Sequence, residues 1–254
     1  MMFDGVREAV NQFDRISLKE LSSAHLMSRI DHKFVFPLSE LSDILLSLKS
    51  NYLVLTPQND RINSYKSLYF DTPSFDFYQM HHNKKNHRFK VRYRIYANTG
   101  VAFFEVKEKR KGRTNKSRVE VGDVKMKLSN NELEFIDELI PFNAAKLEAK
   151  LWNDYKRITL VSKNKKERLT LDFDLSFSWE EKTVKKNNVV IAELKQNFTD
   201  RRSEGYKAFK SKSIRPMRVS KYCMGVLDLY DENPLKHNRF KSKILKLNKI
   251  ENDS

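Results

Sequence analysis

Along several stretches of this chain, polar and apolar residues alternate with a period of two. In a strand that period sends them to opposite faces. From 88 to 96, Arg88, Lys90, Arg92 and Arg94 share one face, and Phe89, Val91, Tyr93 and Ile95 share the other. The same rule groups Glu105, Lys107 and Lys109 against Phe104 and Val106, and Lys116, Arg118 and Glu120 against Val119 and Val121. Further along it groups Arg168, Thr170, Asp172 and Asp174 against Leu169, Leu171, Phe173 and Leu175, and Glu193 and Lys195 against Ala192 and Leu194. Near the start, Arg29, Asp31 and Lys33 oppose Ile30, Phe34 and Phe36.

These runs predict strands over 26–36, 65–71, 88–96, 102–109, 116–121, 146–161, 168–177 and 189–198. Helical spacing appears at Leu38, Leu41, Ile44, Leu45 and Leu48 behind Pro37. It also appears at 201–211, at 219–230 and at 129–139, where Ser129 followed by Glu132 reads as a capping box. A short polar helix is expected within 2–21, a helical or irregular segment at 74–83, and a basic loop at 110–115. The polar, basic residues at the end are expected to be loosely ordered. With no internal repeat and no linker, the expected organisation is an N-terminal helical segment (1–24), one main domain (25–232) and a basic tail (233–254).

One amphipathic strand is most simply a strand with its charged face in water. Six side by side are harder to explain that way. Same-face neighbours lie ~7 Å apart along a strand and ~4.8 Å apart across strands, so a row such as Arg88 to Arg94 repels its neighbours unless an anion lies against it. If the helices cover the apolar faces, the charged faces line an interior. The expected fold class is therefore α+β: a closed antiparallel β-barrel forming a tunnel, with helices packed outside. Charges taken out of water in such a tunnel must be paired or hold a ligand.

Composition sharpens this. The chain has 254 residues, and 49 Lys+Arg against 33 Asp+Glu give a net charge of +16, which points to a polyanionic partner. Aromatics make up 11% of the residues, enough to exclude a disordered chain. There is one cysteine, Cys223, expected to be a small buried residue, so no internal disulfide can form and a reducing, cytoplasmic setting is expected. Residues 1–11 show no signal-peptide core, and no window is apolar enough for a transmembrane helix.

Carboxylates share the cationic faces: Asp31, Glu105, Glu120, Asp172, Asp174 and Glu193. They could form salt bridges, or they could hold Mg²⁺ or Mn²⁺, which bind through one or two carboxylates plus substrate phosphates. Asp71 in "FDTP" is expected to cap a turn. His81 and His82 are expected at a surface helix end near the tunnel mouth. Lys84, Lys85, Arg110, Lys111 and Arg113 read equally as a solvated loop or as a recruiting patch.

The segments "SRIDHKFVF", "YKSLYFDTPSFDFYQMHHNKKNHRFKVRYRIY", "FFEVKEKRKGRTNKSRV", "RLTLDFDLSF", "AELKQ" and "SKYCMG" together resemble the VTC domain, the polyphosphate polymerase domain of the vacuolar transporter chaperone complex, within the triphosphate tunnel metalloenzymes or CYTH-like superfamily. The resemblance implies transfer of the γ-phosphoryl of ATP onto inorganic polyphosphate with Mn²⁺ or Mg²⁺. Lys33, Arg92, Arg94, Lys107, Lys116, Arg157, Arg168 and Lys221 match the family's phosphate-gripping positions, and Glu193 matches its metal-binding carboxylate. The candidate catalytic set is Lys33, Arg92, Arg94, Lys107 and Lys195. The candidate substrate-binding set is Arg29, Arg88, Lys90, Lys109, Lys116, Arg118, Arg157, Arg168 and Lys221, and the candidate metal ligands are Glu193 and Glu105.

Hydrolytic and cyclase members carry E-x-E-x-K on the first strand, where this chain has Arg29, Asp31 and Lys33. That departure moves the expectation toward synthesis. Hydrolysis of triphosphate or short polyphosphate, and binding without turnover, are the other expectations. Expected partners are ATP and polyphosphate, with a separate membrane partner able to receive the product and no nucleic acid.

Overall fold

The structure, a computed structural model, describes residues 3–22, 30–230 and 235–253. Its elements, in order, are α1 (Asp4–Asn11), β1 (Arg15–Ile16), α2 (Leu18–Ser22), β2 (Ile30–Pro37), α3 (Leu41–Leu48), β3 (Tyr52–Leu55), β4 (Asn63–Asp71), α4 (Asp76–His82), β5 (His87–Tyr96), β6 (Ala102–Arg110) and β7 (Arg113–Val121). There follow α5 (Asn130–Asp137), β8 (Glu148–Ser162), β9 (Glu167–Trp179), β10 (Lys182–Lys186), β11 (Val189–Gln196), α6 (Glu204–Ser211), α7 (Lys221–Leu229) and α8 (Lys241–Asn252).

The strands form one curled sheet in the order β2-β11-β9-β8-β4-β5-β6-β7, antiparallel throughout this path. The mixed α+β class and the antiparallel sheet are as expected, but the barrel is not closed. Strands β2 and β7 do not pair, so the sheet is an open half-barrel. Two local features account for the opening. The free edge of β2 is taken by residues 216–217, through a bridge between Phe34 and Pro216 and a bond from Met217 N to Lys33 O (2.7 Å). Strand β7 lies mostly in solvent and carries Arg113, Lys116, Arg118 and Glu120, charges that discourage pairing with another strand.

Strand parity sorts the two faces. On the outer face, Phe34, Phe36, Ile158, Leu160, Leu169, Leu171, Phe173, Ala192 and Leu194 form one core with the apolar sides of α1, α3 and α6. Phe89, Val91, Tyr93, Phe104 and Val106 form a second core with Ile136 of α5. Glu132 accepts from Ser129 N (2.7 Å) and Ser129 Oγ (3.0 Å), which starts α5 where the capping box predicts. The helices therefore leave the charged face inward.

A third core fills one end of the inner face, where Val35, Leu151, Leu175, Phe177, Val189 and Ile191 meet Tyr222, Met224 and Val226 of α7. Gly225 allows this close approach: a Cβ there would stand 2.6 Å from Phe177 Cδ1. The expectation of a loosely ordered end is corrected over 241–252, which form α8. Its Leu247 is buried in the third core, and Glu251 accepts from Asn187 N (2.9 Å) and Asn188 N (3.0 Å).

Parity fails once. Asp174 has a φ of +53° where β8 and β9 shift register, so Leu175 and Phe177 turn inward although Leu169, Leu171 and Phe173 point out. Asp174 thereby leaves the charged face and pairs with Lys156 at 2.8 Å. The expected loop at 110–115 is shorter than predicted, because β6 and β7 run on to a two-residue turn at Lys111 and Gly112, both at positive φ.

Candidate functional site

Cross-strand register assembles the inner face in rungs. Lys90 of β5, Lys107 of β6 and Lys116 of β7 stand directly opposite one another, and the next rung pairs Arg88 with Lys109. Neither rung contains a carboxylate. The rung on the other side is Arg92, Glu105 and Arg118, and beyond it Arg94 faces Phe103. On the opposite wall, Lys33 of β2 faces Glu193 of β11, Asp31 faces Lys195, Lys195 faces Arg168, and Arg157 of β8 faces Asp172 of β9.

Glu105, Asp172 and Glu193 are each bracketed by cations. Glu105 Oε2 accepts from Arg92 Nε (2.9 Å) and Nη2 (2.7 Å), Arg94 Nε lies 4.0 Å away, and Lys116 pairs with the other oxygen. Asp172 is held by Arg157, with Nη2 at 2.8 Å, and by Lys221. Glu193 meets Lys33 (3.4 Å) and Lys195, and Lys195 also reaches Asp31 (3.4 Å).

The electrostatics follow from this packing. Burial pushes the Glu105 carboxyl up, but Arg92, Arg94 and Lys116 outweigh it and bring it down to about 2. Burial likewise opposes Asp172, yet Arg157 and Lys221 hold it well below the usual carboxylate range. Burial lowers Lys116 to about 8 despite its partner Glu105. Lys33, Lys90 and Lys221 are also lowered, first by burial.

The floor is aromatic. Tyr65 and Tyr155 stack with centroids 5.3 Å apart; Arg157 lies 5.0 Å from the Tyr65 ring, and Lys221 Nζ lies 4.2 Å from the Tyr155 ring. Arg92 Nη1 donates to Tyr69 OH (3.0 Å). Burial alone would raise the Tyr69 phenol, but Arg92, Arg94 and Lys221 together lower it.

Of the candidate residues, Lys33, Lys90, Arg92, Arg94, Lys107, Lys116, Arg157, Arg168, Lys195, Lys221, Glu105 and Glu193 share this face. Arg118 sits at its rim on β7, its guanidinium over the Phe103 ring (4.5 Å). Arg88 and Lys109 stand at the end toward the β6–β7 turn, and Arg88 Nη1 donates to Lys85 O (2.8 Å). Arg29 lies outside the described residues.

Tyr65, Tyr69 and Tyr155 add to the candidate set: Tyr69 and Tyr155 are buried members of the third core and Tyr65 packs against it, yet all three rings meet cations of the cleft. His81 is a second addition. Burial, then Lys90, Arg88, Lys33 and Lys107, hold its imidazole well below the ordinary histidine range. His82 is structural: its ring packs on Phe240 (5.3 Å) and its Nε2 accepts from Arg239 N (3.3 Å).

Among the described residues no three His, Cys, Asp or Glu side chains gather as a metal cage. A hard cation held mainly by substrate oxygens needs only one or two carboxylates. Glu193 fits that role, being partly exposed beside Asp31. Glu105 does not: cations engage both oxygens of either carboxylate, but Glu105 is also buried, out of reach of a metal held by substrate oxygens.

An antiparallel half-barrel whose inner face presents two cation-only rungs is the framework of a polyanion-binding protein. The VTC domain profile matches residues 28–230, and the chain belongs to the VTC domain family, a family of polyphosphate- and triphosphate-binding enzymes. A comparison with curated protein sequences finds no match. Similar solved structures include a proposed adenylate cyclase from Vibrio parahaemolyticus (12% identity, 78% of this chain and 99% of that chain, TM-score 0.46). They also include a proposed adenylate cyclase from Bacillus halodurans (13% identity, 76% and 94%, TM-score 0.49) and a conserved hypothetical protein from Pyrococcus furiosus (15% identity, 77% and 99%, TM-score 0.41).

Proposed function

We propose that this protein is a polyphosphate polymerase that transfers the γ-phosphoryl of ATP onto a growing inorganic polyphosphate chain. The observation that carries the reading is the pair of neighbouring rungs Lys90–Lys107–Lys116 and Arg88–Lys109. Like charges placed directly opposite destabilise a sheet, so the arrangement calls for a polyanion lying across several strands. A nucleoside triphosphate and a phosphate polymer both have that form.

In this reading Lys33, Arg92, Arg94 and Lys107 hold the triphosphate, with the guanidinium groups suited to bidentate contact and the ammonium groups to point-charge contact. Arg157, Arg168, Lys116 and Lys221 extend the grip along the polymer, and Lys195 keeps Glu193 oriented. Glu193 would hold Mn²⁺ or Mg²⁺, whose contribution is to neutralise charge on the transferring phosphoryl group. A terminal phosphate oxygen of the polymer forms the new P–O bond in line as the bond to the bridging oxygen breaks, and nucleoside diphosphate leaves with the electron pair.

Synthesis is favoured over hydrolysis because β2 offers a single carboxylate, Asp31, already shared with Lys195. The lone cysteine, a buried free thiol, suits a cytoplasmic setting. No helix among the described residues is long and apolar enough to cross a membrane, so delivery of polymer across one would need a separate partner.

The test is incubation of the pure protein with ATP and Mn²⁺, followed by separation of long-chain polyphosphate from free phosphate. Polymer is expected. Free phosphate alone would make the chain a hydrolase, and tight polyphosphate binding without turnover would make it a binder.

A further inference from the structure

Four consecutive residues at the start of α7 each reach a different strand. Val219 O accepts from Lys33 Nζ on β2 (3.2 Å), and Ser220 Oγ accepts from Lys90 Nζ on β5 (2.8 Å). Lys221 Nζ donates to Asp172 on β9, and Tyr222 OH donates to Asp71 Oδ2 at the end of β4. Together with the bridge at Pro216, this corner runs from the β2 edge across to β5 and spans the side of the half-barrel that the strand ladder leaves open.

Three of these contacts engage cations that a polyanion would compete for. The fourth stands apart from them. Tyr222 and Asp71 are both fully buried. Asp71 also accepts from Thr72 N (2.8 Å), Phe77 N (2.8 Å) and Tyr78 N (2.9 Å), so its carboxylate is fixed to the first turn of α4 whatever fills the cleft. Burial raises the Asp71 carboxyl overall, and the Tyr222 hydroxyl and these amides only partly offset it. The Tyr222 ring lies against Tyr69 of the aromatic floor, with centroids 5.2 Å apart. Lys221, the residue before it, stands over Tyr155.

We infer that Tyr222 is a positioning residue: its hydroxyl, anchored on Asp71, fixes the 219–222 corner so that Lys221 projects into the cleft between Asp172 and Tyr155. The inference rests on the polyanion reading of the cleft given above. A tyrosine that merely filled space in the third core would act through its ring. Tyr222→Phe keeps the ring and removes only the anchor.

The experiment compares wild type, Tyr222→Phe, Lys221→Met and the double variant as full chains. It measures the affinity for sodium tripolyphosphate without metal and the hydrogen exchange of the 221–229 amides. Tyr222→Phe is expected to leave the circular dichroism unchanged, to speed exchange in the first turn of α7, and to weaken tripolyphosphate about tenfold, the equivalent of one buried hydrogen bond. On the Lys221→Met background it should cost less than about twofold, because the two residues act through one contact. Unchanged exchange and affinity, or the same tenfold loss without Lys221, would overturn the inference. If Tyr222→Phe fails to fold, Asp71→Asn, which keeps one acceptor oxygen, is expected to give the same exchange signature, and its absence counts against the anchor. If wild type does not bind tripolyphosphate, the polyanion reading falls, and the exchange measurement alone decides whether Tyr222 anchors the corner.

Discussion

Arg92 and Glu105 stand directly opposite each other on neighbouring strands, and the guanidinium places two nitrogens on one carboxylate oxygen, at 2.9 and 2.7 Å. Glu105 thereby sets where the cations of this wall can sit. It draws in Lys116 and, at 4.0 Å, Arg94, and keeps three charges on one face that would otherwise repel.

Glu105→Gln should therefore cost stability. It leaves buried cations without their counter-charge, a change of about 3 kcal/mol for a buried pair broken on one side. The pH dependence has a definite sign. The folded-state pKa of Glu105, about 2, lies below its ordinary value of 4.5, so its contribution is present above about pH 4.5 and is lost as pH falls toward 2. Denaturant unfolding of wild type between pH 5 and 3 should show stability falling with pH, and Glu105→Gln should flatten that slope. Parallel slopes would show that Glu105 is not the group responsible.

The plug formed by α7 gives a second expectation. Gly225→Ala puts a methyl group 2.6 Å from Phe177 Cδ1 and 3.1 Å from Leu151 Cδ2, too close for ordinary packing. Overpacking of this kind costs about 1–3 kcal/mol. A thermal melt should move down by several degrees, and an unchanged midpoint would mean that α7 can shift without loss.

Much of the cleft can be read from strand parity because β5, β6 and β7 form an unbroken meander. Register runs without a bulge from His87 opposite Arg110 to Ile95 opposite Ala102. Parity misleads at Asp174, where a residue at positive φ reverses the faces and no glycine marks the place. Helix α8 is hidden because its sequence is mostly lysine and polar residues, and only Leu247 is buried. The open edge and the corner at 219–222 are invisible for another reason. Their contacts join residues far apart in the chain, as with Lys33 and Val219, 186 positions from each other. Local pattern carries no information about such meetings. The tyrosine floor lies between these cases: its parity is legible, but its role appears only once Arg157 and Lys221 are seen over the rings.

Glu193 is the residue whose change best separates binding from turnover. Its carboxylate touches Lys33 and Lys195, so Glu193→Gln keeps the shape and removes one negative charge from the wall. Metal-dependent turnover of ATP should fall by about 100-fold or more, in the range seen when one stabilising group is removed from a phosphoryl-transfer or oxyanion site. Metal-free tripolyphosphate binding should hold or tighten, because a repelling carboxylate is gone. Turnover at the wild-type level would remove Glu193 from the metal assignment.

The lysines of the cleft make binding itself sensitive to pH. Burial lowers Lys116 to about 8, well under its ordinary 10.5, and lowers Lys33, Lys90 and Lys221 as well. Near pH 8 a fraction of Lys116 is therefore neutral in the free protein. A phosphate chain lying on the Lys90–Lys107–Lys116 rung brings negative charge within a few ångströms and restores the ammonium form, so binding takes up protons. Between about 8 and 10.5 the unfolded chain holds its proton at Lys116 more tightly than the free folded protein, so raising pH through that window favours the folded protein while weakening the polyanion. Calorimetry of tripolyphosphate binding at pH 8 in two buffers of different ionisation enthalpy should report uptake of about half a proton from Lys116. Repeating it at pH 6 should remove the Lys116 contribution, and Lys116→Met should remove the same part at pH 8. Zero uptake at pH 8 would mean that these lysines are already fully charged in the free protein, and that the cation rungs are stabilised by something other than a bound polyanion.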